Sequence, residues 1–225
     1  MSSTWAIVVA GGDGSRLGAD RPKAFIGLGG RPLLAHSIDL LEDHPAVDRI
    51  VLVVPAEWEE PATLLSDELA AGKVVAAVPG GETRALSVAA GLDVVADDAE
   101  AILVHDAARP FATAELIDRL LEALATHAGA VPAVAVTDTV KRVEGGRVAE
   151  TLDRSELRAV QTPQAFRAEA LRRAYAAPAG ALRDATDCAS LVEAAGLEVA
   201  VVPGEGGNMK ITSPEDLARA EERLR

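Results

Sequence analysis

The chain has 225 residues, a formal net charge of −13 and one cysteine, Cys188. The negative charge argues against nucleic acid and anionic membranes as partners, because their phosphates would meet a repulsive surface. A single cysteine excludes an intrachain disulfide, no apolar run reaches membrane-spanning length, and no secretory leader is visible, so we expect a cytoplasmic protein.

Apolar, β-branched runs recur along the chain and predict strands at residues 6–10, 50–54, 74–78, 101–105, 129–136 and 197–202. Between them lie segments of helical periodicity, such as 33–41 and 116–124, the second preceded by Thr113 as a candidate N-cap. This alternation predicts an α/β fold, a mostly parallel sheet with helices on both faces. Without a visible linker or repeat, we expect a single domain over 1–225.

A glycine-rich loop at residues 10–18 follows the first predicted strand directly. Its backbone N–H groups can cradle a phosphate at the carboxyl edge of the sheet, and Arg16 and Lys23 add positive charge. No GxxxxGK[ST] string occurs, and the loop lacks the third glycine of the dinucleotide fingerprint. The loop therefore predicts a nucleotide site of another type, although a plain strand-to-helix turn would also explain the glycines.

Two more loops follow predicted strands. Residues 79–87 contain Gly80 and Gly81, which permit close backbone approach, and Ser87, which can bond to a base edge; an N-capped helix start is the simpler explanation. In the segment 105–110, Asp106 can hold Mg²⁺ or a substrate hydroxyl, and Arg109 can bind a phosphate. A buried Asp–Arg pair is the alternative, which an exposed strand end would disfavour.

Residues 137–161 break the strand–helix alternation. Alternating residues on either side of Gly145-Gly146 predict a β-hairpin. An isolated two-stranded ribbon is marginally stable in water, so the hairpin must pack on something. We expect a second copy of the chain as its partner, which makes the hairpin a homodimerisation arm; packing on its own domain is the alternative.

No Ser/His/Asp or Cys/His constellation is visible, nor are paired histidines at metal-ligand spacing. Transfer of a nucleotidyl group to a phosphate needs neither, because a phosphomonoester is already largely dianionic near neutral pH, with a second pKa of about 6. The enzyme need only align it and neutralise the charge that develops at the attacked phosphorus. Cationic side chains and Mg²⁺ suffice, and Lys210, in a second glycine-rich loop, complements Lys23.

Together these segments resemble the 2-C-methyl-D-erythritol 4-phosphate cytidylyltransferase family, which uses CTP in the non-mevalonate isoprenoid pathway. The resemblance covers essentially the whole chain, and its most specific motifs are HDAARP at 105–110 and TPQ at 162–164. The other matching segments are residues 10–18, 22–23, 80–87, 138–142, 153–154, 186–187 and 208–212. The chain departs from the family at three positions. The family usually has Ala at the position of Gly11, often Gln at that of Ala24, and often Asp at that of Glu82.

The resemblance implies a Rossmann-like fold, CTP and a polyol phosphate as substrates, Mg²⁺ as cofactor with unknown protein ligands, and a homodimer formed through the arm. The residues it assigns to triphosphate binding and transition-state stabilisation are Arg16, Lys23 and Lys210. The nucleotide-binding residues are Ala10, Gly11, Gly12, Gly14, Gly81, Glu82 and Ser87. The residues for the acceptor are Asp106, Ala107, Arg109, Thr139, Arg154, Thr162 and Thr186, of which Thr139 and Arg154 would serve the neighbouring subunit.

Alternative functions stay open at this point. A ribitol-phosphate or other polyol-phosphate cytidylyltransferase would carry nearly the same motifs, and Arg109, Arg154 and Thr186 do not separate the acceptors. The first loop is also similar to that of molybdopterin guanylyltransferases, which lack HDAARP and TPQ. A non-catalytic nucleotide-binding protein is the alternative of another class, although a sensor has no need of cations for a transition state.

Overall fold

The computed structural model describes residues 3–12, 14, 17–18 and 20–225. Its strands, in chain order, are β1 (Ser3–Val9), β2 (Gly27–Leu28), β3 (Arg31–Pro32), β4 (Arg49–Val54), β5 (Val74–Pro79), β6 (Ala99–Asp106), β7 (Gly129–Ala135), β8 (Lys141–Glu144), β9 (Arg147–Thr151), β10 (Arg158–Val160), β11 (Gln164–Arg167) and β12 (Val199–Pro203). The strands predicted from the sequence are confirmed as β1, β4, β5, β6, β7 and β12, with ends shifted by at most three residues.

The helices are α1 (Leu33–Asp43), α2 (Glu59–Glu68), α3 (Arg84–Leu92), α4 (Ala114–Ala123), α5 (Ala168–Tyr175), α6 (Ala179–Asp184), α7 (Cys188–Ala194) and α8 (Pro214–Arg223). The predicted cap of α4 is confirmed, because the Thr113 side chain accepts a hydrogen bond from the Leu116 backbone N–H at 3.2 Å. In the described part of the chain, no helix combines the length and apolarity that a bilayer crossing requires.

The main sheet is mixed, with a parallel half and a half that contains antiparallel pairs. Strands β5, β4, β1 and β6 lie side by side and parallel, in that order. Strand β11 then pairs antiparallel with β6 and with β7. Along the same edge of β7 runs β10, also antiparallel, and β12 pairs parallel with the other edge. The expectation of a mostly parallel sheet is confirmed for the half that carries the first glycine loop.

Helices cover both faces of this sheet, as predicted. Neighbouring residues of a strand point to opposite faces, so Val8 of β1 packs in a cluster with Ile38 of α1 and Leu120 of α4. Ile7 joins the cluster on the other face, which contains residues of α3, α5 and α7 such as Leu171. Both clusters are built mainly from Ala, Val, Leu and Ile, as the low aromatic content requires.

The predicted hairpin is confirmed as β8 and β9, which pair antiparallel. Its turn residues Gly145 and Gly146 have φ values of 55° and 77°, the left-handed region that a tight two-residue hairpin turn requires. All residues of both strands are exposed. Val143 and Val148 lie directly opposite each other, with 58% and 62% of their surface exposed. The hairpin therefore does not pack on the described part of its own chain.

Candidate active site

A cavity of about 280 Å³ opens at the carboxyl ends of β1 and β6, where the sequence places its glycine-rich loops. Its described lining residues are Val9, Ala10, Gly11, Gly12, Gly14, Leu17, Lys23, Ala24, Gly81, Glu82, Thr83, Arg84, Ser87, Asp106, Ala107, Ala108, Lys210 and Thr212. All the nucleotide-binding residues predicted from the sequence are among them, together with the predicted catalytic residues Lys23 and Lys210. Arg16, the third predicted catalytic residue, lies outside the described residues.

The first loop is tied back to itself by backbone hydrogen bonds. The Lys23 N–H donates to the Gly12 carbonyl at 3.0 Å, which places the Lys23 side chain at the cavity wall. Gly14 has a φ of +74°, and a Cβ at this position would lie 2.6 Å from the Arg21 carbonyl oxygen. Gly11 is less restricted, since its nearest contact would be the Ser87 Oγ at 3.6 Å. A side chain at Gly14 would therefore clash with the backbone, whereas Gly11 leaves room for a Cβ.

The second loop is fastened to the start of α3 by Ser87. Its Oγ accepts from the Gly81 N–H at 3.1 Å and donates to the Thr83 carbonyl at 3.0 Å. Thr83 in turn caps α3 by accepting from the Leu86 N–H. Glu82 is exposed at the rim, 3.5 Å from the Arg183 guanidinium of α6. The simpler explanation of this segment, a capped helix start, is thus correct, and it holds Gly81 and Ser87 at the cavity wall.

Asp106, the last residue of β6, lies at the centre of the charge arrangement. One carboxylate oxygen accepts from Arg84 Nε at 2.9 Å, and the other accepts from Lys210 Nζ at 2.7 Å. Its backbone N–H donates to Thr162 Oγ1 at 3.0 Å. Burial acts to raise the pKa of Asp106, but the two cations outweigh burial and hold that pKa well below its ordinary value. The carboxylate is therefore charged throughout the neutral range.

The expectation that this strand end is exposed, which disfavoured a buried Asp–Arg pair, is wrong. Asp106 is only 7% exposed because Thr162 covers its backbone and Arg84 covers one carboxylate oxygen. The arginine of the pair is not the neighbouring Arg109. Arg109 turns away and donates to the carbonyls of Asn208 and Val160, at 2.8 and 3.3 Å.

His105, the residue before Asp106, is a core residue. It is fully buried, and its Nδ1 lies 3.2 Å from Thr162 Oγ1. Burial, assisted by the positive charges of Arg109 and Arg84, lowers the pKa of His105 from its ordinary value of 6.5 to about 4. The imidazole is therefore neutral at physiological pH and supports Thr162, which in turn supports Asp106.

The residues predicted for the acceptor are only partly brought together. Asp106 and Ala107 line the cavity, while the buried Thr162 and the half-buried Arg109 lie beside Asp106 without lining it. The other three predicted residues are exposed and do not line it: Thr139, Arg154 and Thr186. Within the same chain, the Arg154 guanidinium donates to the Thr137 carbonyl at the base of the hairpin.

The sequence analysis missed a role for Arg84. This residue begins α3, lines the cavity and contacts the predicted acceptor residue Asp106. A signal for it was present, since Arg84 lies within the segment 80–87 that carries the resemblance. What the sequence could not show is that the start of α3 and the end of β6, which are separated by 22 residues, meet at the same point.

Comparison with known proteins gives a consistent result. The model of the family 2-C-methyl-D-erythritol 4-phosphate cytidylyltransferase matches residues 4–225. A protein of that name from Rubrobacter xylanophilus is 48% identical over 98% of this chain and 94% of its own length. Another, from Rhodococcus jostii, is 51% identical over 96% of this chain and 92% of its own.

Solved structures agree with the sequence matches. The 4-diphosphocytidyl-2C-methyl-D-erythritol synthase of Anaerococcus prevotii superposes with a TM-score of 0.86 at 30% identity, covering 99% of this chain and 98% of that one. The 2-C-methyl-D-erythritol 4-phosphate cytidylyltransferase of Thermus thermophilus gives a TM-score of 0.78 at 36% identity over the whole of both chains. The Rossmann-like α/β fold is thus confirmed.

Proposed function

Because the chain belongs to the 2-C-methyl-D-erythritol 4-phosphate cytidylyltransferase family, we propose that it transfers CMP from CTP to 2-C-methyl-D-erythritol 4-phosphate and releases pyrophosphate. The observation that supports this most directly is the charge of the cavity. In a chain of net charge −13, the described wall of the cavity carries three cations, Lys23, Arg84 and Lys210, against two carboxylates, Asp106 and Glu82. A local group of cations in a negative protein favours a polyanionic ligand at that one place.

The two glycine loops form the nucleotide side of the site. Gly11, Gly12 and Gly81 are exposed and present backbone to the cavity without side chains in the way. The buried Ala10 and Ser87 form the wall behind them. We assign the cytidine and ribose to this side, and the triphosphate to the side that carries Lys23 and Lys210.

The chemistry follows from the cations. The acceptor phosphate oxygen attacks the α-phosphorus of CTP in line with the departing pyrophosphate oxygen, so negative charge accumulates between them. Lys23 and Lys210 are placed to neutralise it, and Arg16, from the same loop as Gly14, is the third cation we assign to this task. Because the acceptor is already a phosphate dianion, the site needs no general base.

We assign the acceptor to the end of β6. The ionised Asp106 can accept a hydrogen bond from a substrate hydroxyl, and the small Ala107 beside it leaves room for the polyol. Arg109 is half-buried with no carboxylate within ion-pair distance in the described part of the chain, so a substrate phosphate would complete its charge balance. Thr162 and Thr186 are assigned to the same side.

We propose Mg²⁺ as the cofactor. Of the described cavity residues, only Asp106 and Glu82 carry a carboxylate, and Glu82 is exposed at the rim. Asp106 uses one lone pair on each oxygen and keeps further acceptor capacity, so the residues fit an ion held mainly by phosphate oxygens. When bound, the ion would neutralise part of the triphosphate charge.

We further propose that the chain acts as a homodimer joined through β8 and β9. The exposed valines at positions 143 and 148 need a cover that the described part of the chain does not provide. Thr139 and Arg154, at the base of this arm, would then reach the acceptor side of the partner's cavity. This exchange would explain why neither residue lines the cavity of its own chain.

Pyrophosphate release tests the function. The purified chain with Mg²⁺ is supplied with each of CTP, UTP, ATP and GTP, against 2-C-methyl-D-erythritol 4-phosphate and ribitol 5-phosphate as acceptors. We expect turnover with CTP and the methylerythritol phosphate. Turnover with ribitol phosphate as the only acceptor would identify ribitol phosphate, and not the methylerythritol phosphate, as the substrate. Turnover with GTP alone would overturn the cytidylyl assignment. Binding of a nucleotide without turnover would identify a nucleotide-binding protein.

A further inference from the structure

We propose that Arg84 is a positioning residue of this site, which fixes the Asp106 carboxylate and, through it, the Lys210 ammonium. The inference rests on the proposed CMP transfer and extends it to Arg84, for which only a positive charge at the cavity wall has been proposed so far. It also includes the buried Cys188, which holds Arg84 from behind.

The Arg84 guanidinium is held by hydrogen bonds on two sides, one to Asp106 and one to Cys188. Its Nε donates to Asp106 Oδ1 at 2.9 Å, and its Nη1 lies 3.4 Å from Cys188 Sγ. A guanidinium is planar and its N–H groups diverge in a rigid fork, so bonds at two different nitrogens fix the plane of the group. Asp106 is thereby oriented from a helix start that has its own cap at Thr83.

Cys188, on the side of Arg84 away from Asp106, is itself held in place by its surroundings. Cys188, the first residue of α7, is fully buried, and its Sγ lies 3.2 Å from the hydroxyl of Tyr175, the last residue of α5. Burial raises the pKa of the Cys188 thiol, so the sulfur stays neutral beside the guanidinium. The Cys188 sulfur thus joins the start of α3, the end of α5 and the start of α7, while Cys188 and Tyr175 do not line the cavity themselves.

Lys210 alone could not fix the orientation of the Asp106 carboxylate. An ammonium is a compact charge with three rotatable donors, so it attracts a carboxylate without fixing its plane. The Lys210 side chain is also 41% exposed, against 10% for that of Asp106. With Arg84 removed, one buried oxygen of Asp106 would lose its partner, and the carboxylate would turn toward the remaining cation or toward water. Both the acceptor contact of Asp106 and the placement of Lys210 would change.

A double-mutant cycle distinguishes positioning from direct contact. We expect Arg84→Met to lower kcat/KM for CMP transfer by about 100-fold. In an Asp106→Asn background the same change should cost about threefold or less, because the route through the carboxylate is already broken. Arg84→Lys should recover only part of the loss, since it restores the charge but not the fork. If the full loss persists with Asp106→Asn, Arg84 contacts substrate through its buried Nη2, which has no partner in the described part of the chain, and the proposal is overturned.

A second cycle uses Cys188, which cannot touch substrate from outside the cavity. We expect Cys188→Ala to lower kcat/KM by about 3- to 10-fold, and Cys188→Ser, which keeps a hydrogen-bonding group, to restore most of it. In an Arg84→Met background, Cys188→Ala should have no further effect. An equal loss in both backgrounds would show that Cys188 acts on the core alone, and it would remove Cys188 from the proposal.

A crystal structure of the Arg84→Met variant tests the positioning role without an activity measurement. If Arg84→Met does not fold, the Arg84→Lys variant is crystallised in its place. We expect the distance between Lys210 Nζ and Asp106 Oδ2, 2.7 Å here, to exceed about 4 Å or the carboxylate plane to turn. An unchanged pair would overturn the proposal. An inactive wild-type chain would instead overturn the proposed function, so the two failures are distinguishable.

Discussion

The cavity and the hairpin arm differ in the burial of their residues and in the partners that those residues have. At the cavity, Asp106 is 7% exposed and both of its oxygens are bonded to cations of the same chain. On the arm, every residue of β8 and β9 is exposed, and the Arg142–Glu150 pair lies in solvent. A surface pair of that kind contributes little to stability, whereas the Asp106 contacts are charge-assisted hydrogen bonds to a largely buried carboxylate.

The difference is the basis for the proposed division of the site between one chain and two. The described cavity wall has its glycines, cations and carboxylate held by neighbours from the same chain. The arm has a well-formed turn and a paired ladder, but its apolar residues at 143 and 148 are uncovered. We therefore assign nucleotide binding to the single chain and completion of the acceptor side to a pair of chains. The predictions below test each side of this division.

The largest effect is expected at Lys23. Lys23→Ala should lower kcat by about 100- to 1,000-fold, because it removes a cation placed where charge develops. The matched control is Lys73→Ala, since Lys73 lies outside the cavity and donates to the His44 carbonyl at 2.8 Å. Steady-state pyrophosphate release measures both. Equal losses of kcat for the two variants would show that the net charge of the protein, and not a cation at the cavity, determines turnover.

The second effect concerns pH and the buried His105, which precedes Asp106 in β6. The unfolded chain protonates His105 below its ordinary pKa of 6.5, while the folded chain protonates it only near 4, so stability falls as pH decreases between these values. The loss from His105 should reach about 3 kcal/mol at pH 4. Urea unfolding of the wild type and of His105→Asn from pH 7 to pH 4 measures it. The same slope in both proteins would contradict the explanation.

The third effect separates two glycines of the first loop. Gly14→Ala should destabilise the protein by about 2 kcal/mol, because φ is +74° and the Cβ would meet the Arg21 carbonyl. Gly11→Ala is the matched control and should change stability by less than about 0.5 kcal/mol, since it meets only Ser87 Oγ at 3.6 Å. Thermal unfolding compares them. A harmless Gly14→Ala would show that the loop path is not set there.

The smallest effect per side chain is expected on the arm. Replacing both valines, Val143→Lys with Val148→Lys, should weaken dimerisation at least about tenfold while leaving CTP affinity of the single chain unchanged. Sedimentation equilibrium and calorimetry measure the two quantities. A monomeric wild type, or a variant dimer of unchanged strength, would contradict the arm proposal.

Complementation tests whether the arm reaches across. Arg154→Ala and Lys23→Ala subunits are each expected to have low activity alone and to recover activity on mixing. One cavity of the mixed dimer would then have both Lys23 and a partner's Arg154 intact. Absence of recovery, with subunit exchange verified by mass spectrometry, would contradict a shared site.

The sequence predicted much of this arrangement because its signals were local. Runs such as 50–54 read as buried parallel strands, and Gly145-Gly146 predicted the hairpin turn that the φ values confirm. Since loops after parallel strands meet at one sheet edge, Lys23 and Asp106 could be placed together from the sequence. The pairing of Asp106 with Arg84 could not, because it depends on how α3 packs on the sheet.

The irregular half of the sheet was also beyond local signals. Strands β10 and β11 are three and four residues long and lie on either side of Gln161-Thr162-Pro163. So short a run has no periodicity that distinguishes it from a loop, and its pairing partners are far away in the sequence. The burial of Thr162 next to Asp106 depends on that pairing and could not be predicted from the sequence alone.

A crystal structure of the chain soaked with CTP and Mg²⁺ tests the central claim most directly. The account predicts the nucleotide between residues 10–14 and 80–83, with phosphate oxygens within hydrogen-bond distance of Lys23 Nζ and Lys210 Nζ. A nucleotide bound elsewhere, with both ammonium groups directed into solvent, would contradict it.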